Sequence, residues 1–302
     1  MSKRILVLYY SQTGQLKQIV NNFCSPFINS GCDVEFVEIV PKEEFKFPWN
    51  GERFFDAMPE CVLDIPIAIK KVEVSKDHYD LIVIAWQPWF LSPSLPIISA
   101  LKDSLIKSVV NQTPVITICG ARNMWISAQL RIRNWIKDNK GIHVGNLVLR
   151  DRHHNLISGI TIQYWLFKGK KDKMFGVFPK PGISDADIVS SKNFGAEACE
   201  RLLKNEWKGL QQNWINHEGV FVSPRLMFVE GRAIKIFTVW AKLIRGKQNR
   251  KLWINIFRIY LLFALFLLSP IVILLFTLII QPIFNKSLNT QKDFHEGVNL
   301  QP

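Results

Sequence analysis

Four short stretches carry residues that could do chemistry, and each follows a run that reads as a β-strand. The first is Ser11-Gln12-Thr13-Gly14-Gln15, after the apolar run that ends at Tyr10. Two hydroxyls, a permissive glycine and the first N–H groups of a helix starting there make an anion cradle suited to a phosphate monoester. The same residues could serve as a plain helix cap. The second, Trp86-Gln87-Pro88-Trp89-Phe90, offers aromatic faces on which a flat ring can stack, worth about 0.5–1.5 kcal/mol beyond its burial. Trp86, as the last residue of its strand, could instead be core. In the third, Cys119-Gly120-Ala121-Arg122-Asn123-Met124-Trp125, the small residues Gly120 and Ala121 let the backbone approach a ligand. Arg122 and Asn123 could hold an oxyanion there, although Arg122 could also be solvated surface and Cys119 reads as inert core. The fourth, Arg150-Asp151-Arg152-His153-His154-Asn155, contains two histidines able to move a proton near neutral pH. Neighbours in sequence point apart, so at most one of His153 and His154 can face a site.

These loops need a scaffold that brings them to one edge. Strand-like runs at Arg4–Tyr10, Asp33–Val40, Asp80–Trp86, Pro114–Gly120 and His143–Arg150 alternate with helical stretches at Gly14–Asn29, Pro59–Lys71, Leu95–Lys107, Met124–Asn139 and Asp185–Lys208. Such alternation predicts a parallel sheet covered by helices. Five units of this kind predict an α/β, doubly wound five-stranded parallel sheet of order 2-1-3-4-5, with ligands at the carboxyl ends of strands 1, 3 and 4. Two stretches exceed the minimal fold: Pro41–Met58, rich in Phe and Trp, and Asp151–Ser184. The second carries Tyr164, Trp165, Leu166, Phe167, Phe175 and Phe178 and is long enough to cap a pocket.

The chain of 302 residues exceeds what this core requires, and the surplus is basic: residues 201–302 hold 14 Lys/Arg against 5 Asp/Glu, out of a net charge of +13. An excess of this kind fits nucleic acid or an anionic membrane surface. The neighbouring sequence favours the membrane and no nucleic acid, because residues 259–280 run for 22 positions without a charge and a bilayer span needs about 20. From Arg225 to Arg258 apolar and basic residues interleave as in an interfacial helix, or as in an ordinary amphipathic helix packed on a core. The Ser269-Pro270 pair could kink a single span or turn the chain back as a shallow hairpin, and a single kinked span is expected. Lys242, Arg245, Lys247, Arg250, Lys251 and Arg258 precede the run while only Lys286 and Lys292 follow it, which places the front domain on the cytoplasmic side of the inner membrane. Five cysteines without metal-like spacing predict neither a disulfide framework nor a metal site, and the polar-interrupted N-terminus reads as no signal peptide.

The loop Ser11–Leu16 resembles the phosphate loop of the flavodoxin family, a Ser or Thr, any residue, Thr, Gly, any residue, then Ser or Thr. The last position here is Leu16, so one hydroxyl is missing. The resemblance implies a flavodoxin-like fold and FMN, with Ser11, Gln12, Thr13, Gly14 and Gln15 on the phosphate, and Trp86, Gln87, Pro88, Trp89, Phe90, Gly120 and Ala121 around the ring. Together with Trp86-Gln87-Pro88-Trp89, Arg122-Asn123-Met124-Trp125 and the apolar C-terminal run, the opening also resembles a narrower group from dialkylresorcinol and flexirubin pigment clusters, labelled condensing enzymes. That resemblance implies an aromatase oxidising a 2,5-dialkylcyclohexane-1,3-dione to a resorcinol, beside a partner ketosynthase, with a hydrophobic small molecule as substrate. Its catalytic residues would be Arg122 and Asn123 toward the enolate and His153 or His154 toward the proton. The rival expectations are a membrane-tethered electron carrier, an NAD(P)H quinone reductase, or a scaffold that has lost the cofactor. The expected organisation is an FMN-binding domain over 1–210 with the insertion 151–184 capping its site, a basic amphipathic juxtamembrane region over 211–258, a transmembrane segment over 259–284 and a polar tail over 285–302.

Overall fold

A computed structural model describes residues 2–298. Strands β1 (Arg4–Tyr9), β2 (Asp33–Glu38), β3 (Leu81–Trp86), β4 (Pro114–Ala121) and β5 (Ile142–Arg150) pair in parallel throughout, in the spatial order β2-β1-β3-β4-β5. This is the flavodoxin-like order expected. The central β3 is buried along its whole length, which is why Leu81-Ile82-Val83-Ile84-Ala85-Trp86 shows no polar alternation. Alternate residues of β1 enter different cores: Leu6 and Leu8 one, Ile5, Val7 and Tyr9 the other.

Helices α1 (Gln15–Asn29), α2 (Gly51–Asp56), α3 (Met58–Val62), α4 (Leu95–Leu101), α5 (Ser104–Val110), α6 (Ile126–Asp138), α7 (Asn155–Lys168), α8 (Asp185–Lys204) and α9 (Leu210–Asn216) complete the sheet domain. On one face α1 and α8 touch so closely that a Cβ on Gly195 would lie 1.9 Å from the Phe23 carbonyl oxygen. Three expected helices come out differently. The one over Pro59–Lys71 stops at Val62, because Asp64 takes a φ of 56° and Pro66 disfavours helix at the residue before it. The one over Leu95–Lys107 breaks in two where the Asp103 carboxylate accepts from the Leu105 and Ile106 N–H groups and restarts the chain. The one over Asp185–Lys208 ends at Lys204, with Asn205 in the left-handed region as its cap.

The region Arg225–Arg258 is two helices rather than one. Helix α10 (Pro224–Arg245) buries Met227, Glu230, Phe237, Ala241 and Ile244, and Asn249 caps the start of the next helix by accepting from the Leu252 N–H. That next helix, α11 (Arg250–Glu296), has 47 residues and is long and apolar enough to cross a membrane. It widens into π-type turns at Ala264–Leu268 and Phe276–Ile280. Each wide turn lies two residues before a proline, Pro270 or Pro282, whose ring would collide with a carbonyl of a regular helix and whose missing N–H breaks its ladder. A non-helical residue, Phe284, bends α11 further on. The last four residues of the expected 285–302 tail lie outside the described residues.

Candidate functional site

Three of the four loops meet at the carboxyl edge between β1, β3 and β4. They border a cleft of about 240 Å³ lined by Gln12, Thr13, Gln15, Gln87, Pro88, Trp89, Phe90, Gly120, Ala121 and Arg122. The edge is where a doubly wound sheet leaves a crevice, because the connections from β1 and β3 depart to opposite faces.

At the first loop, Gly14 occupies the N-cap of α1 with a φ of 83° and gives the helix no side-chain cap. A residue with a Cβ is strained there. The Ser11 hydroxyl accepts from the Lys17 N–H at 3.1 Å, so it satisfies the third helical amide and does not line the cleft. The amides before it remain available to an anion, with the Thr13 side chain beside them. Gln15 behaves differently from expectation. Its side-chain amide donates to the Ile183 carbonyl at 2.9 Å and accepts from the Ile183 N–H at 3.3 Å, latching the end of the insertion over the loop. Leu16, in place of a hydroxyl, is buried and lies 3.4 Å from a Cβ built on Gly120; it packs the loop against β4.

The second loop is a tight hairpin, Pro88–Trp89 pairing with Ser92–Pro93. Its turn residues Phe90 and Leu91 have φ of 48° and 63°. Bulky side chains in that conformation are strained at about 1–3 kcal/mol each, and Phe90, at this turn, forms part of the cleft wall. Trp89 packs edge to face with Phe45 and Trp49, centroids 5.0 Å apart in both pairs. Trp86, expected at the ring or in the core, is fully buried core and does not line the cleft; its position on the all-buried β3 takes it below the rim.

In the third loop Arg122 is held by donation from its Nη1 to the Asn155 carbonyl at 3.2 Å, and the Asn123 amide donates to the Asn155 side chain. Partial burial lowers the Arg122 pKa to about 10, partly offset by Asp151, so the side chain stays cationic at neutral pH. The fourth loop turns away. Buried Asp151 accepts from the Ser158 hydroxyl and sits 2.7 Å from His153 Nδ1, and His154 is the N-cap of α7. Neither histidine lines the cleft or the cavity beside it.

That second cavity, of about 450 Å³ and largely apolar, adjoins the first. Phe54, Pro88, Phe90, Arg122, Ile162 and Leu166 line both. Its far walls are Val229, Ala233, Ile236 and Phe237 of α10 and Leu261, Leu265, Leu268 and Val272 of α11. Several lining residues were not singled out from the sequence: Trp49 and Phe54 belong to the aromatic stretch 41–58, and Ile162, Gly182 and Ile183 to the expected cap, of which Trp165 and Leu166 were singled out. Their signal was the aromatic content of stretches the minimal fold does not need.

No family model and no curated protein matches this chain. Among solved structures it is similar to a flavoprotein from Lactobacillus acidophilus NCFM determined in complex with FMN, with 20% identity, 49% of this chain and 93% of that one covered, and a TM-score of 0.39. It is also similar to a flavodoxin from the domain Archaea, with 12% identity, 67% and 99% covered, and a TM-score of 0.36. Two-electron reduced Megasphaera elsdenii flavodoxin gives 14% identity, 48% and 84% covered, and a TM-score of 0.26. The flavodoxin-like topology rests on the strand pairing itself, independently of these likenesses.

Proposed function

We propose that this chain is a membrane-associated, FMN-dependent oxidoreductase that aromatises a lipid-like cyclic dione, converting a 2,5-dialkylcyclohexane-1,3-dione into a 2,5-dialkylresorcinol. The observation that carries the reading is the pair of adjoining cavities sharing Arg122. One offers a hydroxyl, helix amides and aromatic side chains, which suit a phosphate and a flat ring; the other is lined mostly by apolar side chains, which suit alkyl chains. The residues present fit FMN: the α1 amides left free by Ser11, the Thr13 hydroxyl and the loop's positive end suit the phosphate, and Trp89 with Phe90 suits the ring edge. FMN held there would supply the two-electron acceptor that this oxidation needs.

The chain's own part is positioning and charge. Among the described residues, no carboxylate and no histidine lines the apolar cavity. A 1,3-dione is acidic between its carbonyls, so it can enter as its enolate, and the half-buried Arg122 guanidinium offers the countercharge at the oxygen. Asn155 fixes that guanidinium through its carbonyl. Alkyl chains placed among the side chains of α7, α10 and α11 gain about 0.8 kcal/mol per methylene, which holds the ring against the shared wall.

Full-length protein purified in detergent should be yellow, and Thr13→Asp should bring a negative charge to the phosphate position and abolish the flavin absorbance. Anaerobic addition of a dialkylcyclohexanedione should bleach the yellow protein and yield resorcinol. Bleaching only by a reduced protein or by NAD(P)H would replace this reading with an electron carrier or a quinone reductase. A folded but colourless protein that takes up no FMN would remove it altogether.

A further inference from the structure

Helix α11 is fastened to the sheet domain at both ends. At its start Arg250 pairs with Asp56 at 2.7 Å and Glu60 at 2.6 Å. Midway, inside the uncharged run, Ser269 and Phe276 are buried, and Phe276 lies on Phe228 of α10 at a centroid distance of 4.5 Å. Beyond the run, Leu288 enters the main core. Glu296 accepts from the Val222 N–H at 2.9 Å, its carbonyl accepts from Gln211 at 2.7 Å, and Arg133 donates to the Phe294 carbonyl at 3.1 Å.

A helix of 47 residues is about 70 Å long at 1.5 Å per residue, and a bilayer's hydrocarbon is about 30 Å thick. If the run crossed it, residues 285–296 would emerge on the far side, out of reach of Val222, Gln211 and Arg133. Phe284, with φ of −108° and ψ of 19°, instead bends the helix so that its last turns return to the domain. The opposite face stays uncovered over the same length: Ile259, Phe263, Leu267, Ile271, Leu274 and Leu278 are all exposed. An exposed apolar face of this extent needs an apolar partner. A lipid surface fits better than a protein groove because the face is continuous with an uncharged run of membrane-spanning length, and because α11 itself walls the apolar cavity.

We infer that α11 lies in the plane of the membrane, its outer face sunk into one leaflet and its inner face closing the apolar cavity, so that the chain is attached to one side of the bilayer and crosses none of it. This rests on the membrane association proposed above and changes its geometry. Substrate chains then pass from the leaflet into the cavity between α10 and α11, without entering water.

The test uses full-length protein with Cys32→Ser, bearing either Gln248→Cys or Lys286→Cys, both at exposed positions on either side of the run. It is added from outside to sealed vesicles of phosphatidylethanolamine and phosphatidylglycerol, then treated with a membrane-impermeant maleimide. In-plane seating is expected to let both cysteines label fully without detergent. Labelling of Gln248→Cys alone, with Lys286→Cys reacting only after detergent, would overturn in-plane seating and leave the membrane association standing. Failure of the protein to float with the vesicles would overturn the membrane association and this inference with it.

Discussion

The proposed reaction turns on one guanidinium. Arg122 sits in the wall between two cavities, and the Asn155 carbonyl holds it there. Arg122→Gln should lower kcat/KM on the dione by about 10²–10³, the cost of losing an oxyanion donor, while the flavin absorbance stays unchanged. Undiminished turnover would take Arg122 out of the reaction. A buried carboxyl elsewhere tests the fold. Glu230 on α10 accepts from the Ser127 N–H at 2.7 Å, and its other oxygen has no partner among the described residues. Burial raises its pKa to about 7. A carboxyl raised on folding holds its proton longer in the native state, so stability falls as pH rises from the ordinary carboxylate range through 7. The loss amounts to about 3 kcal/mol in the alkaline limit. Glu230→Gln should therefore melt higher than the parent at pH 8 and nearly with it at pH 5; parallel melting curves at both values would refute the assignment. Of these residues the sequence made Arg122 visible, because it follows a strand at a carboxyl edge. It favoured Trp89 over Trp86 but left Trp86 open, since a strand buried on both faces has no alternation to show whether its last side chain reaches the rim. The Gln15 latch was illegible for another reason: its partner Ile183 is 168 positions away.

Elements bear the constraint at Gly195. No side chain fits where α8 meets the backbone of α1, because the nearest atom is a carbonyl oxygen fixed in a helix. Gly195→Ala should cost about 3 kcal/mol or more, at the upper end of overpacking, read as a lower midpoint in urea with an unchanged slope. An unaltered midpoint would mean that the two helices are not in this contact. The strands and the helices flanking them were legible from their periodicity. Helix α7 was not: Asn155–Lys168 is apolar on most sides and lay inside a stretch read as a capping loop. The failed helix over Pro59–Lys71 shows the converse, where period suggested helix and Pro66 with the left-handed Asp64 prevented it.

For the molecule as a whole, composition pointed to a lipid-facing segment, but nothing local could reveal that the residues after it return to the domain that precedes it. Part of the basic cluster ahead of the run is engaged within the domain, while Lys242 and Arg245 stay exposed. Arg250 is spent on Asp56 and Glu60, Lys251 on Glu52, and Arg258 lies over the Phe55 ring. Attachment should therefore depend more on the apolar face than on charge. Leu274→Glu combined with Leu278→Glu, both on exposed positions, should release the protein from anionic vesicles at low salt with its flavin site intact, whereas retention on the vesicles would exclude this face as the contact.

The two-ended fastening of α11 also governs orientation. A domain hung from one flexible stem can swivel and present any side to its surroundings. A domain pinned at Arg250 and again at Glu296 has lost that rotation, so with the in-plane seating inferred above its loop edge would keep one bearing relative to the bilayer. Molecules confined to the same leaflet would then meet the site by drifting in two dimensions toward a mouth that already faces them, with no search over angles left to make.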